Sequence, residues 1–494
     1  MGRRVMEIDL DQIKAVAKEL TEQCLVAEVK LVNITHARLG GYNARTYSNE
    51  LQLAETLRTQ SIKGVWRWWI RVILSGAAWE MGINDAGPII ELTRKIMGST
   101  ESASTLILKL AATPAETEAV LPRRAINMLS NLKGKYPSED IKKIFSECGL
   151  QIPQKLNRRG FINTILPPRL GLLVMDEELS VKELDGMLQM YKAGSLEACV
   201  QIYARTGTGI AKDEINVAIG ALLLALILQG VGAITRRGFG HFQITCREGS
   251  QYPFIKAYVE YVKQLNEAVD ASTTRDALNK LIHEAIGSAK RLLEKITVSH
   301  KVTETIPPRP SLSFERSAFK LEIVKIDVGS GRDSPEWNLL RCLGFKKKDE
   351  AQLKLLRKLG QATLKIEWKR NKGLDIFASG RDLQTWILGL PRSHLAIHSG
   401  EKDTGYFLPP KSPRERLEVG RRSSSISFAP LKQISDYEWL VAAYGFLSSD
   451  WPERIEWLSG TRGKVSVSLK VEVRKRFDES FQQVVDYLHR GGRA

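Results

Sequence analysis

CVQIYARTGTGIAKDEINVAIGALLLALILQGVGAITRRGFGHFQITC, residues 199–246, is the stretch that decides the fold. Residues 199–205 (CVQIYAR) alternate with period two, which is a strand pattern. A helical segment follows over 213–229, and its run VAIGALLLALIL at 217–228 is apolar on every side. Such a helix is buried, and it falls short of the ~20 residues a membrane span needs. A glycine-rich turn begins near Gly230 and leads to a strand at 241–246 (HFQITC). Strand, buried helix, turn and strand form the second half of a β-α-β-β-α-β unit.

Working towards the N-terminus completes that unit. Leu25, Ala27, Val29 and Leu31 alternate with Val26, Glu28 and Lys30, predicting a strand over 25–31. Residues 61–76 are apolar at helical spacing, and 105–112 (TLILKLAA) predict a strand. The polar, turn-rich stretch near 113–165 reads as an insertion. Residues 1–20 predict an amphipathic helix without the apolar core of a signal peptide.

Towards the C-terminus, 254–297 is helical, and KVTETIPPRPS at 301–311 breaks the pattern with three prolines. Strands are expected at 319–328, 362–368 and 464–472, the last with Val465, Val467, Leu469 and Val471 on one face. A helix is expected at 474–489. The fold class is therefore α+β, with two ferredoxin-like (RRM-like, βαββαβ) domains and helical insertions. The first spans 1–250, a helical connection 251–300, and the second 301–494.

Basic residues number 73 against 56 acidic ones, a net charge of +17, which favours a polyanionic partner. Nucleic acid and an anionic membrane surface both satisfy that condition. The five cysteines, Cys24, Cys148, Cys199, Cys246 and Cys342, are widely spaced and include no CxxC pair. A disulfide framework or zinc knuckle is not expected, and a reducing cytoplasm is.

Four stretches carry candidate function. In RTQSIKGVWRWWIR (58–71), Ile62, Trp66, Trp69 and Ile73 share a helical face beside a stripe of Lys63, Arg67 and Arg71. Ser61 can cap that helix, whose free amides suit a phosphate. The plain reading is a core helix with a solvated basic face. In GVGAITRRGFGHF (230–242), glycines around Arg236 and Arg237 could form a phosphate nest, with Phe239 stacking on a base. A helix cap followed by a strand-entry turn explains the same glycines. HARLGGYNARTYSN (36–49) mixes His36, Arg38, Tyr42, Asn43 and Arg45 as an RNA-contacting loop does. In the last stretch, Arg421 and Arg422 precede serines able to bond phosphates. His394 and His398 lack an HExxH glutamate, so no metal site is expected, and neither is a cofactor.

At these residues the chain resembles the repeat-associated mysterious protein (RAMP) superfamily of CRISPR systems. SIKGVWRWWIR (61–71), MGSTESAS (97–104) and GVGAITRRGFGHFQI (230–244) carry the resemblance. Within the superfamily it is to the first-subunit family of the Cmr, or type III-B, effector complexes. The resemblance spans roughly 24–246 and is thinner over 389–427. Lys63 stands where that family commonly has arginine. The resemblance implies a non-catalytic, RNA-binding head subunit in antiviral defence. Such a subunit holds the guide (crRNA) 3′ end and the guide–target duplex beside another RAMP subunit. Lys63, Arg67, Arg71, Arg236 and Arg237 then neutralise phosphates, and Tyr42 or Phe239 stacks on a base. The enzyme alternative is a metal-independent guide-RNA-processing endoribonuclease with His36 or His241 as general base. The remaining alternative is a peripheral membrane protein using the basic surface.

Overall fold

The computed structural model describes residues 24–40, 46–48, 53–113, 115–132, 138–151, 157–176, 178–207, 209–296, 304–329, 335–363, 386–388, 392–394, 404–407, 424–451, 454–459, 463–468 and 473–490. The expected helix at 1–20 and most of the expected strand at 362–368 lie outside these residues.

The first half is a four-stranded antiparallel sheet of β1 (Leu25–Asn33), β2 (Leu106–Ala112), β3 (Glu197–Ala204) and β4 (Phe242–Glu248), in the order β2-β3-β1-β4. Central β1 pairs Val29 with Val200 on one side and Cys246 on the other. Helix α1 (Thr59–Glu80) links β1 to the short helix α2 (Gly87–Met97) and on to β2. The insertion contains α3 (Arg123–Asn131), α4 (Glu139–Glu147), α5 (Arg158–Ile165) and α6 (Val181–Leu188), and it then leads into β3. Helix α7 (Lys212–Leu224) joins β3 to β4 and ends in one π-turn, Ala225–Gln229. Strands and helices therefore follow in the β-α-β-β-α-β order read from the sequence.

The insertion is longer than 113–165. It continues through α6, which Ser180 and Glu183 start with a capping box, up to β3. Short helices with two to four buried side chains leave weak periodicity, so the sequence placed its end too early.

The helical connection is α8 (Lys256–Glu267) and α9 (Ala271–Leu293), broken where Asp270 accepts a hydrogen bond from the Thr273 amide. The second half begins with β5 (Phe319–Asp327), α10 (Pro335–Cys342) and α11 (Lys347–Gln361). After it come β6 (Arg392–His394), β7 (Thr404–Phe407), β8 (Ile426–Gln433), β9 (Glu438–Phe446), β10 (Arg454–Ser459), β11 (Gly463–Ser468) and α12 (Val473–His489). These strands make two antiparallel sheets, β8-β9-β5 and β6-β7-β10-β11.

The β8-β9-β5 sheet is covered on both faces, and alternation along β9 shows it. Leu440, Ala442, Tyr444 and Phe446 join the core under α1 and α9, while Trp439, Val441 and Ala443 join a second core with α11 and α12. Trp68 and Trp69 of α1 meet Phe446 at ring-centroid distances of 5.5 and 5.9 Å. The two halves thus share one apolar core. The proline segment is also fixed: the Leu312 amide donates to the Val72 carbonyl of α1 at 3.1 Å. A third core joins the insertion to α10 and α11 through Phe145, Phe161, Trp337 and Leu340.

The cysteine expectation needs a correction. Cys148 at the end of α4 and Cys342 at the end of α10 form a disulfide across 194 residues of sequence. Spacing rules cannot see a pair brought together only by tertiary packing. Among the described residues, no helix is long and apolar enough to cross a membrane.

Candidate nucleic-acid interface

Helix α1 is fixed from its apolar side. The Trp66 indole donates to the Ala218 carbonyl at 2.7 Å, and that of Trp69 donates to Gln229 Oε1 at 2.8 Å. Both rings are buried, as are Ile62 and Ile73. From residue 69 to 79 only Arg71 is exposed, because α9 and the second sheet close over the rest. Ser61 is not the cap: the helix begins at Thr59, with extended Arg58 at the N-cap and no side-chain cap bond. The Ser61 amide instead donates to the Arg58 carbonyl within the first turn.

The basic stripe has three different members. Lys63 and Arg71 are exposed, eight residues or about 12 Å apart along the helix. Arg67 is half-buried and donates to the carbonyls of Met97 and Gly98 at 3.1 and 3.2 Å. Those carbonyls end α2, where the helix dipole favours a cation. Arg67 therefore ties α1 to the loop 98–104 as well as carrying charge. That loop is internally braced, since Ser99 Oγ accepts from the Glu101 and Ser102 amides at 3.1 Å each. On its far side the exposed Arg205 donates from Nε to the Ser104 carbonyl at 2.9 Å. Arg67 and Arg205 thus both hold one serine-bearing loop, and Lys63 and Arg71 stand about one helical turn on either side of Arg67. The sequence reading missed Arg205, although a basic residue ending a strand before TGTG (206–209) was a usable signal.

The glycine-rich stretch 230–242 is an internal junction, not a phosphate nest. Gly230 and Gly240 have φ of 67° and 64°. A Cβ on Gly230 would lie 2.4 Å from the Gly240 carbonyl oxygen, and one on Gly240 would lie 2.3 Å from that of Val231. The close backbone approach is to the protein's own backbone. Phe239 is fully buried in the insertion's core, so it cannot stack on a base. Arg236 donates to the Ser424 carbonyl at 2.8 Å. Arg237 holds its guanidinium 5.9 Å from the Phe428 ring centre and pairs with that residue in a parallel bridge. Both arginines fasten the first half to β8.

His36 and His241 are also interior, with no exposed surface. The two ring nitrogens of His241 lie 3.3 and 3.1 Å from the Ile227 and Thr235 carbonyls. Neither ring nitrogen of His36 has a hydrogen-bond partner. Burial pushes both imidazoles down to about 4. Neither imidazole is placed to serve as the general base of the endoribonuclease alternative. Arg38 is 6% exposed and donates to the Met187 carbonyl, so it too lies inside. Tyr42, Asn43, Arg45, Arg421 and Arg422 lie outside the described residues. Among the described residues no group of His, Cys, Asp and Glu side chains converges as metal ligands.

A mixed α+β chain of +17 charge, with exposed cations on a tryptophan-anchored helix, has the attributes of a nucleic-acid-binding protein. Residues 52–243 match the RAMP superfamily, which bears out the resemblance over that segment. No curated protein matches the chain. Among solved structures it is similar to a chain of the type III-B Cmr-beta complex bound to cognate target RNA, seen by cryo-EM. The identity is 13% and the TM-score 0.47, covering 93% of this chain and 99% of that one. It is also similar to Cmr1 from Pyrococcus furiosus in its apo crystal form, at 16% identity and a TM-score of 0.45, covering 93% and 96%.

Proposed function

We propose that the chain is a non-catalytic, RNA-binding subunit of a type III-B CRISPR (Cmr) effector complex. In this reading it holds the 3′ end of the guide RNA and the guide–target duplex, beside a neighbouring RAMP subunit in the cytoplasm. The observation that carries it is a coincidence: the segment matching the superfamily contains the exposed, rigidly mounted Lys63 and Arg71. Sequence selection then belongs to guide–target pairing, and the protein reads backbone and shape. The strand order β2-β3-β1-β4, with helices between β1 and β2 and between β3 and β4, supports a ferredoxin-like first unit over 1–250. The order β8-β9-β5, with α10 and α11 between β5 and β8, supports reading 301–494 as a second such unit joined through 251–300.

Anisotropy of labelled guide RNA over a salt series tests the reading. Lys63→Ala and Arg71→Ala should each weaken binding and flatten the slope of log K against log salt by about 0.7. Arg236→Ala should leave that slope unchanged while lowering stability. Binding indifferent to both Lys63 and Arg71 would count against the interface, and discrete RNA cleavage in EDTA would count against a non-catalytic subunit.

A further inference from the structure

Cys148 and Cys342 come from distant parts of the chain, and their bond lies at the edge of the core that the insertion shares with the second half. Cys148 caps α4 in the insertion, and Cys342 ends α10 in the second half. Their Cα atoms are 5.8 Å apart, within the usual range for a bridge. The bond is open to solvent, with Cys342 exposed and Cys148 half-buried. A cleft of about 380 Å³ reaches both residues, and Arg124, Asn127, Asn131 and Glu147 line it with them. The unpaired cysteines, Cys24, Cys199 and Cys246, lie elsewhere, and burial raises the thiols of Cys199 and Cys246. A raised thiol is a poor nucleophile at neutral pH.

We infer that Cys148–Cys342 is a reversible exchange site for small-molecule thiols, and that its oxidation state sets how firmly the insertion is fastened to the second half. The reductive direction starts when a small thiolate attacks exposed Cys342 Sγ. The protein S–S bond breaks, its electron pair leaves on Cys148 Sγ, and Cys342 is left in a mixed disulfide. A second small thiolate attacks the small-molecule sulfur of that mixed disulfide. It releases the small-molecule disulfide and leaves Cys342 as a thiolate. Two electrons have passed from two thiols to the protein, and a small-molecule disulfide drives the reverse. The mechanical consequence falls on α4, a helix of nine residues with only Ile141 and Phe145 buried. A helix so short is marginal without an anchor. A single exposed, exchangeable pair also suits a thiol-rich compartment better than a structural framework does.

The test uses the full chain purified without reductant and treated with oxidised glutathione. Alkylation under denaturing conditions should then modify three cysteines, and five after reduction. Five before reduction would overturn the bond. In native buffer, graded mixtures of reduced and oxidised glutathione should set the bridged fraction. A bond inert until denaturant is added would overturn the exchange site. Amide hydrogen exchange over 139–147 should be faster in the reduced protein and in Cys342→Ser than in the oxidised one. Equal rates in all three would overturn the fastening role, and Cys199→Ser should behave as the parent in every measurement.

Discussion

At the scale of single residues, the two histidines that look most like catalysts in the sequence are buried, neutral side chains. Each is held neutral by burial, at about 4 against an ordinary 6.5. The unfolded chain takes up protons below pH 6.5 and the folded one does not until about 4. Stability contributed by neutral burial is therefore present above pH 6.5 and lost as pH falls towards 4. The loss is about 3 kcal/mol for each histidine. Urea unfolding at pH 7 and pH 5 should show about 2 kcal/mol of it per histidine, and His36→Leu should remove roughly half of the pH dependence. Equal pH sensitivity in parent and variant would refute that assignment. Residue type was legible here and residue role was not. A histidine at a strand end looks the same in sequence whether it faces solvent or, like His36, lies beneath α11, where Gln352 donates to the Ile34 carbonyl.

At the scale of elements, α1 was the most legible part of the site. Its 3.6-residue periodicity gave the buried tryptophan face, which is observed, and a basic stripe of which Lys63 and Arg71 are exposed. Its neighbours were not legible. A Cβ on Gly76 would lie 2.0 Å from the Leu312 carbonyl oxygen, so the proline strap crosses α1 where only glycine fits. Gly76→Ala should therefore destabilise the protein although alanine favours helices, by about 1–3 kcal/mol. Chemical denaturation measures this, and a stabilised variant would show that the strap is free to move. The glycine-rich turn 230–242 failed as a binding site for a related reason. Glycines that permit close approach do not say what approaches, and here it is the chain itself.

For the whole molecule, the element order of the first half was legible because its strands alternated and its second long helix was a wholly apolar run. The shared core was not, because proline-rich 301–311 has the composition of a linker. Tyr444 and Phe446 of the second sheet nonetheless pack against Trp69, and Phe319 in turn lies 5.0 Å from Phe446. Phe446→Ala should cost about 3–5 kcal/mol. Amide protection of α1 and β5 should fall together in that variant. Loss confined to β5 would mean that the halves unfold separately. Charge across the whole chain pointed to a polyanionic partner and no further. It did not separate cations facing solvent from the half-buried Arg236 and Arg237 that hold β8.

The central position of β1 also has a consequence in time. Its register partners, Val200 and Cys246 opposite Val29, are encoded about 170 and 220 residues later. At ribosomal speeds of about 5–20 residues per second, β1 waits roughly 10–30 s for β3 to be made, and longer for β4. During that interval both of its edges are open and its Val- and Leu-rich face has no sheet to join. The nascent chain thus spends its most aggregation-prone period with its central strand already synthesised, and a chaperone that shields about ten residues near the N-terminus is the kind of helper it calls for.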